Sequence, residues 1–169
     1  MNTQDTGHLP LLARIQSRQA RVGIIGLGYV GLPLAVTTAE RGFPVTGFDV
    51  DASKMVKLDA GESYIGAVGD DRLSALRTTG QFDWTTDCTR LKSCDVIVIC
   101  VPTPLTRYRE PDLSFIENTA RTIAANLKSG TLVVLESTTF PGTTDEILAP
   151  ILETSGLKVG TDVFVGFSP

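Results

Sequence analysis

Short, almost unbroken apolar runs recur along the chain at Val22–Ile25, Val45–Phe48, Val96–Val101, Leu132–Leu135 and Val163–Phe167, with a weaker one at Phe82–Thr85. β-branched runs without polar alternation predict strands covered on both faces, as in a parallel sheet. Between them, apolar residues return at helical spacing. Leu32 to Arg41 carries Leu32, Leu34, Ala35, Val36 and Ala39, with Pro33 in the first turn, where its missing N–H costs little. Ser53 to Ala60 predicts a second helix. Ser114 to Leu127 predicts a third, opened by Ser114 with Glu117 three residues on, the pattern of a capping box. Thr143 and Glu146 repeat that pattern ahead of Ile147, Leu148, Ile151 and Leu152, and Pro150 is expected to kink or split this fourth helix. Such alternation of strand and helix implies right-handed crossovers and an α/β fold, a doubly wound parallel sheet of about six strands in the order 3-2-1-4-5-6. Residues 1–8 read as a disordered leader and 9–169 as one domain, with Leu9, Leu11, Leu12 and Ile15 fitting an amphipathic helix ahead of the first strand.

Composition narrows the function classes. A chain of 169 residues buries enough surface to hold a core without disulfide or metal. With 15 Lys+Arg against 19 Asp+Glu, it lacks the net positive field that sequence-independent nucleic-acid binding needs, so no nucleic-acid partner is expected. The longest apolar run, Val96 to Pro102, is far short of the roughly 20 residues of a membrane span, and the first residues lack a signal peptide's charged start and apolar core. No membrane partner and a cytoplasmic location are therefore expected. Cys88, Cys94 and Cys100 have no CxxC spacing, and the sole histidine, His8, lies in the leader. Free thiols serving as packing residues, and no metal, are the expectation.

The most informative stretch is Gly26-Leu-Gly28-Tyr29-Val30-Gly31-Leu-Pro, which directly follows the first predicted strand and opens the first predicted helix. In that context GxGxxG becomes a dinucleotide fingerprint. Gly26 permits the tight turn, Gly28 lets backbone approach a pyrophosphate, and Gly31 lets the helix pack closely on the strand. The anion would rest on unpaired N–H groups at the helix N-terminus. The second strand ends at Asp49, at the distance where a carboxylate accepts from the adenosine ribose and repels the extra phosphate of NADP, which favours NAD. Asp51 competes for this role but is better placed to cap the helix near Ser53. Lys54 could reach back to the ribose or the phosphates. The polar loop Thr103–Asp112 follows the fourth strand, and its Arg107 and Arg109 would suit a pyrophosphate or carboxylate through bidentate hydrogen bonds.

Four motifs in order, Gly26-Leu-Gly-Tyr-Val-Gly-Leu-Pro, Phe48-Asp-Val-Asp, Val101-Pro-Thr-Pro and Glu136-Ser-Thr-Thr-Phe-Pro-Gly-Thr-Thr, with Gly166-Phe-Ser-Pro169 after them, resemble the NAD-binding half of the nucleotide-sugar 6-dehydrogenases. Those enzymes include the UDP-glucose, GDP-mannose, UDP-N-acetylmannosamine and UDP-N-acetylglucosamine dehydrogenases. The resemblance runs from about Leu9 to the last residue. Thr106-Arg-Tyr-Arg-Glu-Pro-Asp-Leu and Gly156-Leu-Lys-Val-Gly look most like the branch acting on UDP-N-acetylglucosamine and related sugars. The resemblance implies oxidation of the C6 alcohol of a UDP-N-acetylhexosamine to the uronic acid with two NAD, in polysaccharide precursor synthesis, by a full-length homo-oligomer whose partner is a UDP-sugar substrate. It also implies cofactor contacts from Gly26, Gly28, Tyr29, Val30, Gly31, Asp49 and Lys54, and from Thr103 and Thr138 in the cleft. Arg107, Arg109, Phe167 and Ser168 would face the substrate side. The family's nucleophilic cysteine, partner lysine and catalytic glutamate are expected outside these 169 residues, so no catalytic residue is assigned and the chain alone is expected to bind NAD without turnover.

Two other readings remain open from the residues. A 3-hydroxyacid or 6-phosphogluconate-type dehydrogenase domain would share the fold and the first motif but not Ser137-Thr-Thr-Phe-Pro-Gly. A non-catalytic NAD-binding module would need only the cofactor site.

Overall fold

The computed structural model describes residues 11–104, 107, 111–139 and 141–168. The expected leader and Arg109 lie outside the described residues. Six strands, β1 (Val22–Ile25), β2 (Val45–Phe48), β3 (Phe82–Thr85), β4 (Val96–Ile99), β5 (Leu132–Glu136) and β6 (Phe164–Ser168), form one sheet in the order β3-β2-β1-β4-β5-β6. Every pair is parallel. This is the doubly wound topology that the alternation of runs predicts.

Helices α1 (Leu11–Gln16), α2 (Gly31–Glu40), α3 (Ala52–Ala60), α4 (Asp70–Thr79), α5 (Ser114–Ala124) and α6 (Ala149–Glu153) cover the sheet. On one face Leu32, Val36, Leu58, Leu73 and Leu76 pack against Ile24, Val45 and Phe82. On the other, Ile116, Ile123, Leu148 and Leu152 pack against Ile97, Val133 and Leu135. Coverage from both sides is why the strand sequences run apolar without alternating.

Helix ends depart from the sequence expectation in instructive ways. Asp51 caps α3 as predicted, its carboxylate accepting from the Ser53 N–H at 2.9 Å, and Gly61 closes the helix at φ +76°. Ser114, in contrast, opens no capping box. It is already helical, and Asp112 two residues earlier accepts its N–H at 3.0 Å, while Glu117 turns to pair with Arg121. The box expected at Thr143 is also absent: the flanking residue is Gly142 at φ +95°, and a π-helical turn covers Thr143–Leu148 before α6 begins. Pro150 accounts for the split. It lacks the N–H that would bond the Glu146 carbonyl, and its ring crowds that carbonyl, so the preceding turn widens. Helix α5 stops at Ala124, short of Leu127, because its last turn tightens, the Asn126 N–H bonding the Ile123 carbonyl at 2.8 Å.

At the N-terminal edge of the sheet Asp95 is buried yet satisfied. Its carboxylate accepts from Arg14 at 2.7 Å, Lys128 at 3.0 Å and the Arg21 N–H at 2.9 Å. A buried carboxylate needs such partners, and here they pin α1 and the turn before β5 to the head of β4. Among the described residues no helix is long and apolar enough to cross a membrane, and no cluster of metal-ligating side chains occurs.

Candidate functional site

Strand register builds the site. Ile25 pairs with both Phe48 and Ile99, and Ile99 pairs with Leu135, so β1, β2 and β4 end level and β5 runs one residue further. The next residues along, Gly26, Asp49, Cys100 and Glu136, therefore share one rim, and all four line a cleft of about 940 Å³. It opens at the C-terminal edge beside β1 and β4, where the strand order reverses, the point at which doubly wound sheets bind ligands.

The glycine turn shapes the floor of this cleft. Gly26 sits at φ +92°, and a Cβ there would come within 2.7 Å of the Cys100 carbonyl oxygen. Gly31 permits a closer approach than helix against strand: its Cβ would lie 1.7 Å from the Gly26 carbonyl oxygen. Gly28 is the opposite case, with no heavy atom within 4 Å of where a Cβ would stand. The Leu32 N–H bonds the Gly28 carbonyl at 3.1 Å, so the N–H groups of Tyr29, Val30 and Gly31 have no hydrogen-bond partner among the described residues. Open space over Gly28 beside unpaired donors at a helix N-terminus suits an anion.

Asp49 is the polar hub beside that turn. Its Oδ2 accepts from the Leu27 N–H at 2.8 Å and from Lys54 Nζ at 2.6 Å, and its Oδ1 accepts from the Asp51 N–H at 2.9 Å. Three of the carboxylate's roughly four acceptor positions are thus in use, leaving one on Oδ1. Lys54 also lies 6.0 Å from the centroid of the Tyr64 ring, and the Tyr64 hydroxyl donates to the Leu27 carbonyl at 2.9 Å. Burial, reinforced by the Asp49 and Asp51 carboxylates, pushes the Tyr64 phenol up, so it remains a donor.

Around the rest of the rim, Thr103 and Thr138 also line the cleft. The hydroxyls of Thr103 and Ser137 lie 2.6 Å apart and tie the loops after β4 and β5 together. Tyr29 and Val30 line it too, exposed at 84% and 54%, an apolar surface that a bound molecule would cover. Of the substrate-side residues that are described, none is part of this lining. Arg107 is an exposed turn residue, and Phe167 lines a separate hollow of about 450 Å³ with Thr139, Gly142 and Asp145. Ser168 ends β6 opposite Glu136. Sequence reasoning passed over one wall, Phe115, Asn118, Thr119 and Thr122, which share a face of α5 at spacings of three and four. The signal was present as the complement of Ile116, Ala120 and Ile123, the buried face of the same helix.

All three cysteines are free. Burial raises the Cys94 thiol to about 11 and, with help from Glu136, the Cys100 thiol to about 12, so neither forms appreciable thiolate near neutrality. Cys88 is only half-buried and lines the cleft, though burial and then the Asp87 carboxylate raise it too. We expect a disulfide reagent at pH 8 to label Cys88 well before the other two, and a cleft ligand to slow that labelling. Peptide mapping over time checks both, and prior labelling of Cys94 or Cys100 would contradict the burial argument.

Residues 20–169 match the family described as UDP-glucose/GDP-mannose dehydrogenase family, NAD binding domain. The chain belongs to this family. It is 37% identical over 150 residues to UDP-N-acetyl-D-mannosamine dehydrogenase of Pyrococcus horikoshii, covering 88% of this chain and 36% of that protein. UDP-N-acetyl-D-glucosamine 6-dehydrogenase of Pseudomonas aeruginosa is 35% identical over 153 residues, covering 90% and 35%. In three dimensions the chain superposes on the structure of a ternary complex of GDP-mannose dehydrogenase from Pseudomonas aeruginosa with a TM-score of 0.83 at 36% identity, over 88% of this chain and 36% of that one. The chain therefore spans about a third of the length of these relatives. Within the family's NAD-binding domain, the glycine turn, Asp49 and the two threonines form the lining of one cleft.

Proposed function

We propose that the chain binds NAD in this cleft, and that in the full-length protein the site serves oxidation of the C6 alcohol of a UDP-N-acetylhexosamine to the uronic acid, with two NAD consumed per sugar in the cytoplasm. The observation that carries the cofactor reading is the open space over Gly28 beside three N–H groups unpaired among the described residues, with Asp49 level with Gly26 at the next strand's end. The residues present fit the dinucleotide. The N–H groups of Tyr29, Val30 and Gly31 hold the pyrophosphate, and the free acceptor position of Asp49 takes one ribose hydroxyl while Lys54 donates to the neighbouring oxygen. An Asp49 carboxylate in this place excludes a ribose phosphate, hence NAD rather than NADP. Thr103, Ser137 and Thr138 line the β4 and β5 side and orient the nicotinamide end. NAD, when bound, supplies the hydride acceptor. The sugar assignment is supported by the similarity to a UDP-N-acetyl-D-mannosamine dehydrogenase and a UDP-N-acetyl-D-glucosamine 6-dehydrogenase at 37% and 35% identity.

A thermal-melt titration tests the binding. At NAD concentrations about 100 times its dissociation constant, stability should rise by roughly 2.7 kcal/mol, visible as an upward shift of several degrees. No shift with millimolar NAD or NADH removes the cofactor reading. Release of NADH by the full-length protein, given UDP-N-acetylglucosamine or UDP-N-acetylmannosamine in turn, tests the activity and selects the sugar.

A further inference from the structure

Leu27, between the first two glycines of the turn, is fully buried, and both polar groups of its backbone are held by distant parts of the chain. Its N–H goes to Asp49 Oδ2 and its carbonyl accepts the Tyr64 hydroxyl, at 2.8 Å and 2.9 Å. The peptide that leads from Leu27 to Gly28 is trans and planar, so the Leu27 carbonyl and the Gly28 N–H point in opposite directions. Whatever holds the carbonyl therefore aims that N–H. Gly28 has no side chain and no neighbour within 4 Å of a Cβ position, so little steric resistance would otherwise stop this peptide from turning over.

Tyr64 is itself well anchored. It lies in the loop joining α3 to α4, where the Ser63 N–H donates to Asp70 at 2.7 Å and the Ser63 hydroxyl to the Ile65 carbonyl at 2.9 Å. Ile65 and Val68 are buried just after it. Tyr64 is not part of the cleft lining, so any influence on a ligand is indirect.

We propose that Tyr64 is a positioning residue, whose hydroxyl fixes the Leu27–Gly28 peptide so that the Gly28 N–H is presented to the pyrophosphate of the bound dinucleotide. The role rests on the cofactor reading above. It makes the α3–α4 loop part of the nucleotide site although it touches no ligand.

The test compares the wild-type chain, Tyr64→Phe, and a variant carrying 4-aminophenylalanine at position 64, which restores a donor on the same ring. Calorimetric and NMR titrations use NAD and, as a probe without pyrophosphate, adenosine. Tyr64→Phe should bind NAD about three- to tenfold more weakly, the size of one neutral hydrogen bond, with adenosine unchanged. Its ligand-free Gly28 amide signal should shift or broaden, and 4-aminophenylalanine should return both readouts toward wild type. Equal NAD affinity in Tyr64→Phe, equal weakening of NAD and adenosine, or an unmoved Gly28 signal overturns the proposal. Should Tyr64→Phe not fold, relaxation dispersion at Gly28 in the ligand-free wild type decides: a flat profile supports a pinned peptide, and exchange between two orientations refutes it. Failure of the wild type to bind NAD overturns the cofactor reading, whereas normal wild-type binding with an indifferent Tyr64→Phe overturns this proposal alone.

Discussion

Gly31→Ala is expected to abolish NAD binding and to lower the stability of the fold by about 3 kcal/mol, at or above the upper end of ordinary overpacking costs. Alanine is the better helix former by about 1 kcal/mol, so propensity alone predicts stabilisation. Geometry decides otherwise. The added carbon would stand 1.7 Å from the Gly26 carbonyl oxygen and 3.2 Å from Cys100 Cβ, and the nearer obstacle is backbone, which cannot rotate aside. Relief requires the first turn of α2 to withdraw from the β1 loop, carrying the unpaired N–H groups of Tyr29, Val30 and Gly31 away from the ligand position. Gly28→Ala separates the two effects. Its methyl meets nothing within 4 Å, so stability should stay within about 0.5 kcal/mol while NAD binding falls, because the carbon fills space needed by the pyrophosphate. Urea denaturation and calorimetric NAD titration of both variants check the pair. A stable Gly31→Ala that still binds NAD would contradict the packing argument, and a destabilised Gly28→Ala would contradict the open-space argument.

Much of this arrangement is legible in the sequence. The unbroken runs ending at Ile25, Phe48, Ile99 and Leu135 signalled buried parallel strands, and a parallel sheet in level register places the residues after them together. Gly26, Asp49, Thr103 and Thr138 could thus be put on one rim from spacing and motif. What escaped is what tertiary contact alone supplies. Helix α4 buries only Leu73 and Leu76, too sparse for a periodic signal in ten residues. Its charges did mark it: Asp70 and Asp71 in the first turn, Arg77 in the last and Gly80 beyond, each favourable to the helix dipole or its close. The apparent capping boxes at Ser114 and Thr143 misled because a serine or threonine three residues before a glutamate is common, and the local turn chosen by Asp112 or Gly142 settles where the helix begins. The Tyr64 contact joins residues 37 positions apart, and no local pattern encodes it.

Asp49→Asn is expected to weaken NAD binding by about 10- to 100-fold, its isosteric shape notwithstanding. The carboxylate receives donors at both oxygens: Asp51 N–H at Oδ1, Leu27 N–H and Lys54 Nζ at Oδ2. An asparagine amide must set its NH2 against one of these. With NH2 in the Oδ1 place it faces the Asp51 N–H and loses the one free acceptor position open to a ribose hydroxyl. With NH2 in the Oδ2 place it faces both the Leu27 N–H and the Lys54 ammonium, and the glycine turn loses its tie to β2. Either way Lys54, whose side chain is only 26% exposed, keeps its charge with no carboxylate to balance it. Hydrogen bonds to charged groups contribute about 1.5–3 kcal/mol each, so loss of one matches the expected fall in affinity. The same change removes the negative charge that repels a ribose phosphate, so the preference for NAD over NADP should narrow along with the absolute affinity. Parallel calorimetric titrations with NAD and NADP read both effects. Unchanged NAD affinity would remove Asp49 from the ribose site, and an equal loss for both dinucleotides would leave it a structural hub without a part in cofactor choice.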